Sequence, residues 1–371
     1  MQPPRKTSAF GTLAAAVWII AAVAIGFVMR EGRDILAPFA LAVFVWLIME
    51  GFARVVSSRV PQAPKWLAHA VSVAVVVAGV VAFISIMRRA VIEFAQKSDL
   101  YETRINDLIE DIYGVLHIDG APTLTDLLYS DATARFVEPM LSSARGLASD
   151  LVLIFIYVAF LYISSAAFSR KLDHIFIGEA RRGHAREVGE AIRDTMEQYL
   201  WVQTALSVII TALTYATLVA LGLDNAVFWA VVVFVLNYIP TVGSVIAAVL
   251  PALFAMAQPD WPAYMPADPT LSAVAVFLGV SAWQFLIGNF VGPRMMGDSL
   301  NLDPLVVLLS LAVWGAIWGI PGMFLSAPLT VLLMIVLSQT EGAAWVAVLL
   351  SSDGNPGALV KKTVNRNSDP T

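Results

Sequence analysis

Cysteine is absent from this 371-residue chain, and charged residues make up only 14% of it. The lack of cysteine excludes disulfides and thiolate-bound metals, but it does not identify the redox compartment. Soluble domains carry about a quarter charged residues. The low charge, the 58% hydrophobic content and the mean hydropathy of +0.76 therefore indicate an integral membrane protein. No basic stripe with interleaved aromatic residues occurs, so we predict no nucleic-acid partner.

Motifs of enzyme chemistry are also missing. The four histidines are scattered, and none forms a metal-binding spacing such as H-E-x-x-H. There is no phosphate-binding G-x-x-x-x-G-K-[ST] loop, and no serine or aspartate–histidine arrangement typical of a hydrolase. We therefore predict that the protein is not an enzyme and that it has no catalytic residue, no cofactor and no metal site.

Long apolar runs dominate what is present. They lie at about 8–29, 35–49, 66–87, 150–168, 202–221 and 271–291. The longer runs give roughly 30 Å of helix at about 1.5 Å per residue, which crosses the hydrocarbon core. The run at 35–49 is short, so it either extends into 30–34 or crosses incompletely. The first run follows Arg5 and Lys6 but exceeds the apolar part of a signal peptide, which indicates an uncleaved helix.

Two further apolar segments, 226–256 and 304–338, are interrupted by proline and glycine. The interruptions read NYIPTVGS at 237–244 and WGIPG at 318–322. Non-helical backbone at membrane depth persists only where protein or a water-filled cavity surrounds it. Paired broken segments are the best sequence indication of a transporter's substrate site. A re-entrant hairpin and a pair of kinked crossing helices both fit the first segment.

Two segments are too polar to span a membrane. Residues 88–149 are rich in acids, and residues 170–203 are rich in arginine; each contains an amphipathic helical pattern. Because lysine and arginine concentrate on the cytoplasmic side, the basic segment falls inside and the acidic one outside. Both termini are then cytoplasmic. The predicted fold class is an all-α polytopic membrane protein with about six spanning helices, two broken segments and amphipathic extra-membrane helices.

Three motifs in the second half of the chain carry a family resemblance. They are NYIPTVGSVIAAVLP at 237–251, GPRMMGDSLNLDP at 292–304 and LLSLAVWGAIWGIPGMFLSAPL at 308–329. The first resembles the N-[FY]-I-P-x-[IV]-G-[SP] signature of the autoinducer-2 exporter family of bacterial permeases, and the other two complete the pattern over 198–337. The resemblance implies a transporter of a small polar solute in the lipid of the bacterial inner membrane. It also implies a homo-oligomer, with a pentamer as the expected form.

The resemblance and the apolar runs together divide the chain into five parts. These are a transmembrane scaffold (1–87), an acidic extracytoplasmic segment (88–149), a fourth transmembrane helix with a cytoplasmic amphipathic connector (150–201), a transport unit (202–338) and a cytoplasmic tail (339–371). We expect the transport unit to move against the scaffold so that a site between the two broken segments faces each side in turn. Members of the family differ in substrate, so autoinducer-2 is one candidate among small polar solutes.

Neutral polar side chains at the breaks are the candidate binding groups. Their hydroxyl, amide and freed backbone groups suit a small polyhydroxylated solute or a dehydrated cation; alternatively, Asn237 and Ser244 only cap the half-helices. Gln284 and Asn289 either face the solute or join neighbouring helices. The aromatic face of Trp318 either stacks on a solute or packs. The predicted substrate-binding residues are Asn237, Pro240, Thr241, Gly243, Ser244, Gln284, Asn289, Trp318, Pro321 and Gly322.

Asp303 is the candidate ion-coupling residue, because Asp303-Pro304 opens the second broken segment at the water boundary. Carboxylates inside a membrane mark ion pathways, yet no aspartate or glutamate lies within an apolar run. Two other functions therefore stay open at this stage. One is a monovalent cation/proton antiporter that depends on Asp303, and the other is a membrane scaffold without flux.

Overall fold

The computed structural model describes residues 9–62, 64–128, 130, 150–164, 179–266, 268–296, 300–340 and 342–357. In these ranges the chain is helical, apart from turns and one isolated bridge between Leu302 and Ser351. The helices are α1 (Ala9–Glu31), α2 (Arg33–Arg59), α3 (Lys65–Gln96), α4 (Ser98–Val115), α5 (Leu124–Leu128), α6 (Asp150–Ser164), α7 (Glu179–Leu221), α8 (Ala226–Leu236), α9 (Val242–Ala257), α10 (Pro269–Leu286), α11 (Gly292–Met296), α12 (Pro304–Trp318), α13 (Ile320–Ser338) and α14 (Ala344–Leu350).

The all-α membrane architecture predicted from the apolar runs is confirmed. Five described helical segments are long and apolar enough to cross a membrane: α2, α3, α7, the α10 region through Met296, and α13. The short run at 35–49 lies within α2, whose 27 residues are enough to cross the membrane. The connector and the next apolar run form one 43-residue helix, α7, about 64 Å long at about 1.5 Å per residue.

Some predicted features lie outside the described residues. These are the N-terminal 1–8, the end of the acidic segment at 131–149, the end of the fourth apolar run with the start of the basic segment at 165–178, and the last part of the tail at 358–371. The amphipathic helix predicted in the acidic segment is present as α4.

Helix α7 is the axis of the packing. In its first half Met196 and Leu200 belong to a core with α2 and α13, whereas near its end Leu218 belongs to a second core with α8, α9 and α10. Between them Leu206 and Ile210 pack against Val233 of α8. Buried positions thus recur at helical spacing in α7 from Ala191 to Leu218. One helix therefore contacts both broken segments.

The first broken segment is a hairpin, here called hairpin 1 (α8, the break at 237–241, and α9). Its two ends meet through Gln258, which is 1% exposed. The Gln258 side-chain carbonyl accepts from the Asp224 N–H at 2.8 Å, and its amide group donates to the carbonyls of Gly222 at 3.0 Å and Asp260 at 2.7 Å. Because the ends are clasped together, the chain enters and leaves hairpin 1 on one side. The 11 residues of α8 cover about 16 Å, less than the hydrocarbon thickness, which favours a re-entrant hairpin over two crossing helices.

The second broken segment, hairpin 2, consists of α12, Gly319 and α13. The two helices lie against each other, and the Trp314 indole N–H of α12 donates to the Thr330 hydroxyl of α13 at 3.1 Å. At the open end the Asp303 N–H donates to the Leu350 carbonyl at 3.1 Å, which ties the start of α12 to the end of α14. Hairpin 2 therefore also begins and ends on one side.

Candidate functional site

The break in hairpin 1 contains a strained turn. Thr241 has φ 61° and ψ −59°, and the Val242 N–H donates to the Pro240 carbonyl at 2.6 Å. These values define the rare γ-turn whose central residue has positive φ, an unfavourable conformation for a β-branched residue. Backbone strain of this kind persists where the surroundings enforce it, and it clusters at functional sites. The predicted break is therefore a tight reversal with a defined shape.

Gly243 makes this reversal possible. A Cβ atom at this position would overlap the Leu236 carbonyl oxygen and would lie 2.8 Å from the Leu236 carbonyl carbon. The N–H of Gly243 donates to the Ile239 carbonyl at 3.1 Å, so the first turn of α9 rests directly on the end of α8. Glycine is required here for close approach of two backbones.

Side chains of α7 hold the break from one side. The Gln203 amide donates to the Asn237 carbonyl at 2.6 Å, and the Asn237 amide donates to the Ser207 hydroxyl at 2.8 Å. The Ser244 hydroxyl donates to the Thr241 carbonyl at 2.7 Å. Asn237 is the C-cap residue of α8 through its backbone N–H, which donates to the Val233 carbonyl, but neither its side chain nor that of Ser244 bonds a helix N–H. The polar groups of the break therefore form hydrogen bonds with α7 and within the turn itself.

The break in hairpin 2 consists of a single residue, and it also depends on a glycine for close approach of two backbones. Gly319 has φ 66° and ψ −139°, a conformation essentially limited to glycine. A Cβ atom at Gly322 would overlap the Trp314 carbonyl and lie 3.0 Å from the Trp318 Cβ. Pro321, half-buried, occupies the first turn of α13, where its missing N–H has no helical partner to lose. The buried Trp318 donates its indole N–H to the Met29 carbonyl of α1 at 3.0 Å, and these contacts agree with a packing role.

The two breaks lie next to each other. The ring of Tyr238, in the first break, stacks on the ring of Phe324, two residues after Gly322, with centroids 4.6 Å apart and planes 16° from parallel. The Tyr238 hydroxyl is 2.8 Å from the Thr204 hydroxyl of α7. The contact between Tyr238 and Phe324 therefore brings the two breaks close to each other, and the polar groups nearby are neutral hydrogen-bonding groups.

The remaining candidates lie elsewhere. Gln284 is half-buried on α10, directly before a π-helical turn at Ile287–Val291. Asn289 lies in that turn and is exposed, and its amide donates to the Phe285 carbonyl at 2.9 Å. The Asp303 carboxylate accepts from the Leu305 N–H at 2.8 Å and so caps α12. Because α12 has 15 residues, Asp303 is about 22 Å from the break at Gly319.

Sequence reasoning missed a charge cluster between α2 and α7, which is centred on the buried Glu197. The Glu197 carboxylate, with its side chain 5% exposed, pairs with Arg54 and with Arg193 at 2.7 Å. Arg193 also lies 3.4 Å from Glu50, which is 3.8 Å from the ring of His69. The sequence signal was present as two pairs at i, i+4 spacing, 50/54 and 193/197. It went unnoticed because the second pair lies in a segment that was predicted to be a cytoplasmic amphipathic connector.

A second polar contact was also missed, at the opposite end of α7. The Lys97 ammonium is 2.5 Å from the Asp224 carboxylate, which also accepts from the Tyr101 hydroxyl at 3.1 Å. Burial, followed by the Asp224 charge, raises the pKa of Tyr101. Phe94, at the end of α3, packs edge-on against Phe228 and Phe254 of hairpin 1. The α3–α4 corner is thus docked on the clasped end of hairpin 1.

No group of three or more histidine, aspartate or glutamate side chains suited to a metal occurs within the described ranges. The region between the breaks contains no carboxylate, lysine or arginine from residues 237–244, 318–324 or 203–207. Its chemistry is that of hydroxyl, amide and aromatic groups. Such groups recognise an uncharged solute through hydrogen bonds and ring contacts.

Comparison with known proteins agrees with the resemblance seen in the motifs. A family described as "AI-2E family transporter" matches residues 13–342. "AI-2 transport protein TqsA" of Escherichia coli (strain K12) is 30% identical over 328 residues, covering 87% of this chain and 91% of that protein. A "Putative transport protein" of Haemophilus influenzae is 27% identical over 91% of this chain and 94% of its own length, and "Putative transport protein YhhT" of Escherichia coli (strain K12) is 27% identical over 87% and 89%. The chain therefore belongs to the AI-2E family of transporters.

Proposed function

We propose that the protein exports a small, uncharged, polar solute across the bacterial inner membrane, and that autoinducer-2 is the first solute to test. The solute binds between the break of hairpin 1 and the break of hairpin 2. Asn237, Thr241 and Ser244 supply hydrogen-bonding groups, and Tyr238 and Phe324 supply aromatic faces. The name of TqsA gives AI-2 as the cargo of that relative.

The observation that carries this proposal is the stacking of Tyr238 on Phe324, with ring centroids 4.6 Å apart. Two hairpins that end inside a protein leave half-helix ends and freed peptide groups at the same place, which is how many secondary transporters build a substrate site. Small-molecule sites typically combine a few fixed hydrogen-bond donors and acceptors with apolar and aromatic side chains. Contact between the two breaks therefore favours transport over a purely structural role.

Alternating access follows from how the hairpins are held. With the orientation predicted from lysine and arginine, the clasped end of hairpin 1 faces outside and the open end of hairpin 2 faces inside. The two hairpins then approach the site from opposite faces. The outer contact (Lys97, Tyr101, Asp224) and the inner charge cluster (Glu50, Arg54, Arg193, Glu197) connect α2–α4 to α7 and hairpin 1. Release of one contact at a time would open one side at a time.

The test is solute flux in proteoliposomes containing the full-length protein. We expect autoinducer-2 efflux from the wild type to be unchanged by an imposed pH gradient, because no charged group lies at the breaks. Asn237→Ala should abolish efflux, because it removes the amide that links the break to Ser207. Asn289→Ala is the matched control, since that amide is exposed and bonded within its own helix. Equal efflux from both variants would overturn the proposed site.

The same vesicles separate the other functions. Sodium-dependent proton movement without autoinducer-2 flux, lost in Asp303→Asn, would identify a cation/proton antiporter. Absence of any flux, with both alanine variants folded and unchanged, would favour a scaffold. The homo-oligomer, the cytoplasmic position of both termini and the five-part division of the chain remain predictions.

A further inference from the structure

A stripe of polar side chains runs along α7 beyond the break of hairpin 1. Gln203, Ser207, Thr211 and Thr214 recur at intervals of three or four residues, so they share one face of the helix. Gln203 is 8% exposed, and Ser207 and Thr214 are fully buried. At about 1.5 Å per residue the stripe covers about 16 Å, a large part of the hydrocarbon thickness.

The lower and upper ends of this face are occupied by protein contacts. Gln203 and Ser207 bind Asn237, as described above. One turn beyond Thr214, the Thr217 hydroxyl donates to the Leu213 carbonyl and accepts from the Trp283 indole N–H, each at 2.9 Å. These groups are therefore satisfied within the protein.

The middle of the stripe is different. The hydroxyls of Thr211 and Thr214 are buried, and neither has a hydrogen-bond partner among the described residues. The side-chain amide nitrogen of Gln284 on α10 is in the same condition. Buried hydroxyl and amide groups are rarely left unpaired, and each such case calls for an explanation. Three of them in one helix pair is a stronger signal than one.

The packing of α10 on α7 places these three groups at one height. A Cβ atom at Gly279 would lie 2.8 Å from Thr217, and one at Gly292 would lie 3.7 Å from Leu206, so the two helices run antiparallel. This register puts Gln284 level with Thr214. The π-helical turn starts three residues after Gln284, and such turns occur frequently at functional sites.

We propose that Thr211, Thr214 and Gln284 form a second binding station for the transported solute. It lies between the breaks and the contact of Thr217 on α7 with Trp283 on α10. This inference rests on the proposed function and names a further site within it. The station takes a small neutral molecule with several hydroxyl or carbonyl groups, because two hydroxyls and an amide can both donate to it and accept from it. In this conformation the three polar atoms are shielded, so the station opens as the hairpins move.

Charged solutes fit poorly. Between Gln203 and Leu221 of α7, and from Pro269 to Val291 of α10, the sequence has no lysine, arginine, histidine, aspartate or glutamate. An ion on this path would lose its hydration without gaining a counter-charge. A neutral polyol exchanges its bonds to water for bonds to these side chains.

The first test uses the natural absence of cysteine, which allows a single cysteine to be introduced without other changes. Thr214→Cys and Thr211→Cys should react with a small water-soluble thiol reagent in proteoliposomes, because the reactive thiolate forms only where water reaches it. Autoinducer-2 should slow this reaction. Val219→Cys is the control, since Val219 is 50% exposed on the apolar surface of α7 and should react much less. Equal reactivity at 214 and 219, or no protection by the solute, would overturn the station.

The second test removes the hydroxyls and keeps the shape of the side chains. Thr214→Val should raise KM for autoinducer-2 by about 3- to 10-fold, the value of one hydrogen bond, without lowering Tm. Thr217→Val, whose hydroxyl is engaged within the protein, should lower Tm and leave KM unchanged. If Asn237→Ala abolishes flux while Thr211→Val and Thr214→Val have wild-type KM, the station is refuted and the proposed function stands. If Asn237→Ala also leaves flux intact, the site between the breaks fails as well.

Discussion

Replacing Gly243 by alanine is the sharpest test of how hairpin 1 is built. The added methyl group would overlap the Leu236 carbonyl oxygen and would lie 3.1 Å from the Ile239 Cβ. The two nearest obstructing atoms, the carbonyl oxygen and carbon of Leu236, belong to the backbone, so no side-chain rotation relieves the overlap. Relief requires α9 to move away from α8, which breaks the Gly243–Ile239 and Val242–Pro240 hydrogen bonds. Two lost bonds and residual strain give a cost of about 3–5 kcal/mol.

The assay is thermal unfolding in detergent together with solute flux in proteoliposomes. Gly79→Ala is the matched control, because a Cβ atom there meets nothing within 4 Å. Gly79 lies in α3, and alanine is more favourable than glycine in a helix by about 0.8–1 kcal/mol. The control substitution should therefore not destabilise the protein. We expect Gly243→Ala to unfold at a clearly lower temperature and to lose flux. If the two variants melt together and both transport, the tight reversal is not required, and the reasoning fails.

Three other substitutions test the contacts around the hairpins by thermal unfolding in detergent. Gln258→Leu leaves three backbone groups without their partner and should cost about 2–4 kcal/mol; an unchanged Tm would mean that the clasp is not needed. Because the pKa of Tyr101 is raised in the folded protein, its contribution to stability is complete below pH about 10 and falls as the pH rises further. Above pH about 10, the Tyr101→Phe variant should therefore lose less stability than the wild type. An identical pH profile of the two proteins would contradict a role for Tyr101. Glu197→Gln should cost about 2 kcal/mol, less than most broken buried pairs, because Arg54 and Arg193 are 53% and 44% exposed and can reach water; an unchanged Tm would count against the pair.

The fold could be predicted to a large extent because membrane constraints are simple. A lipid-exposed backbone must satisfy its own hydrogen bonds, so apolar length alone indicates helices such as α2, α3 and α7. The breaks at Pro240 and Gly319 could be located because proline and glycine have few roles in an apolar run. The clasp between the two ends of hairpin 1 could not be predicted, since it depends on the contact of Gln258 with residues more than 30 positions away.

The site was only half predictable for a related reason. The polar residues of the breaks stand out beside proline, but Ser207, Thr211 and Thr214 look like ordinary residues of an apolar helix. Their significance depends on which neighbours they meet, and packing alone decides that. Glu197 shows the opposite case, in which the sequence suggests an exposed residue but the structure buries it. Its surroundings in the sequence are polar, yet α7 continues without interruption and buries it against α2.

The distribution of charge bears on how transport is driven. Two groups of interacting charges, one around Glu197 and one around Asp224, lie 27 positions apart along the chain, and the sequence has no charged residue between 203 and 221. Both groups join elements to each other and are balanced by arginine or lysine. A neutral solute on the path between them gains no work from the membrane potential, which acts on charge at about 2.3 kcal/mol per 100 mV. Export down the solute's own gradient then needs no coupled ion, and an imposed potential should leave the flux unchanged. A flux that follows the potential would place a charge on the path and return attention to Asp303.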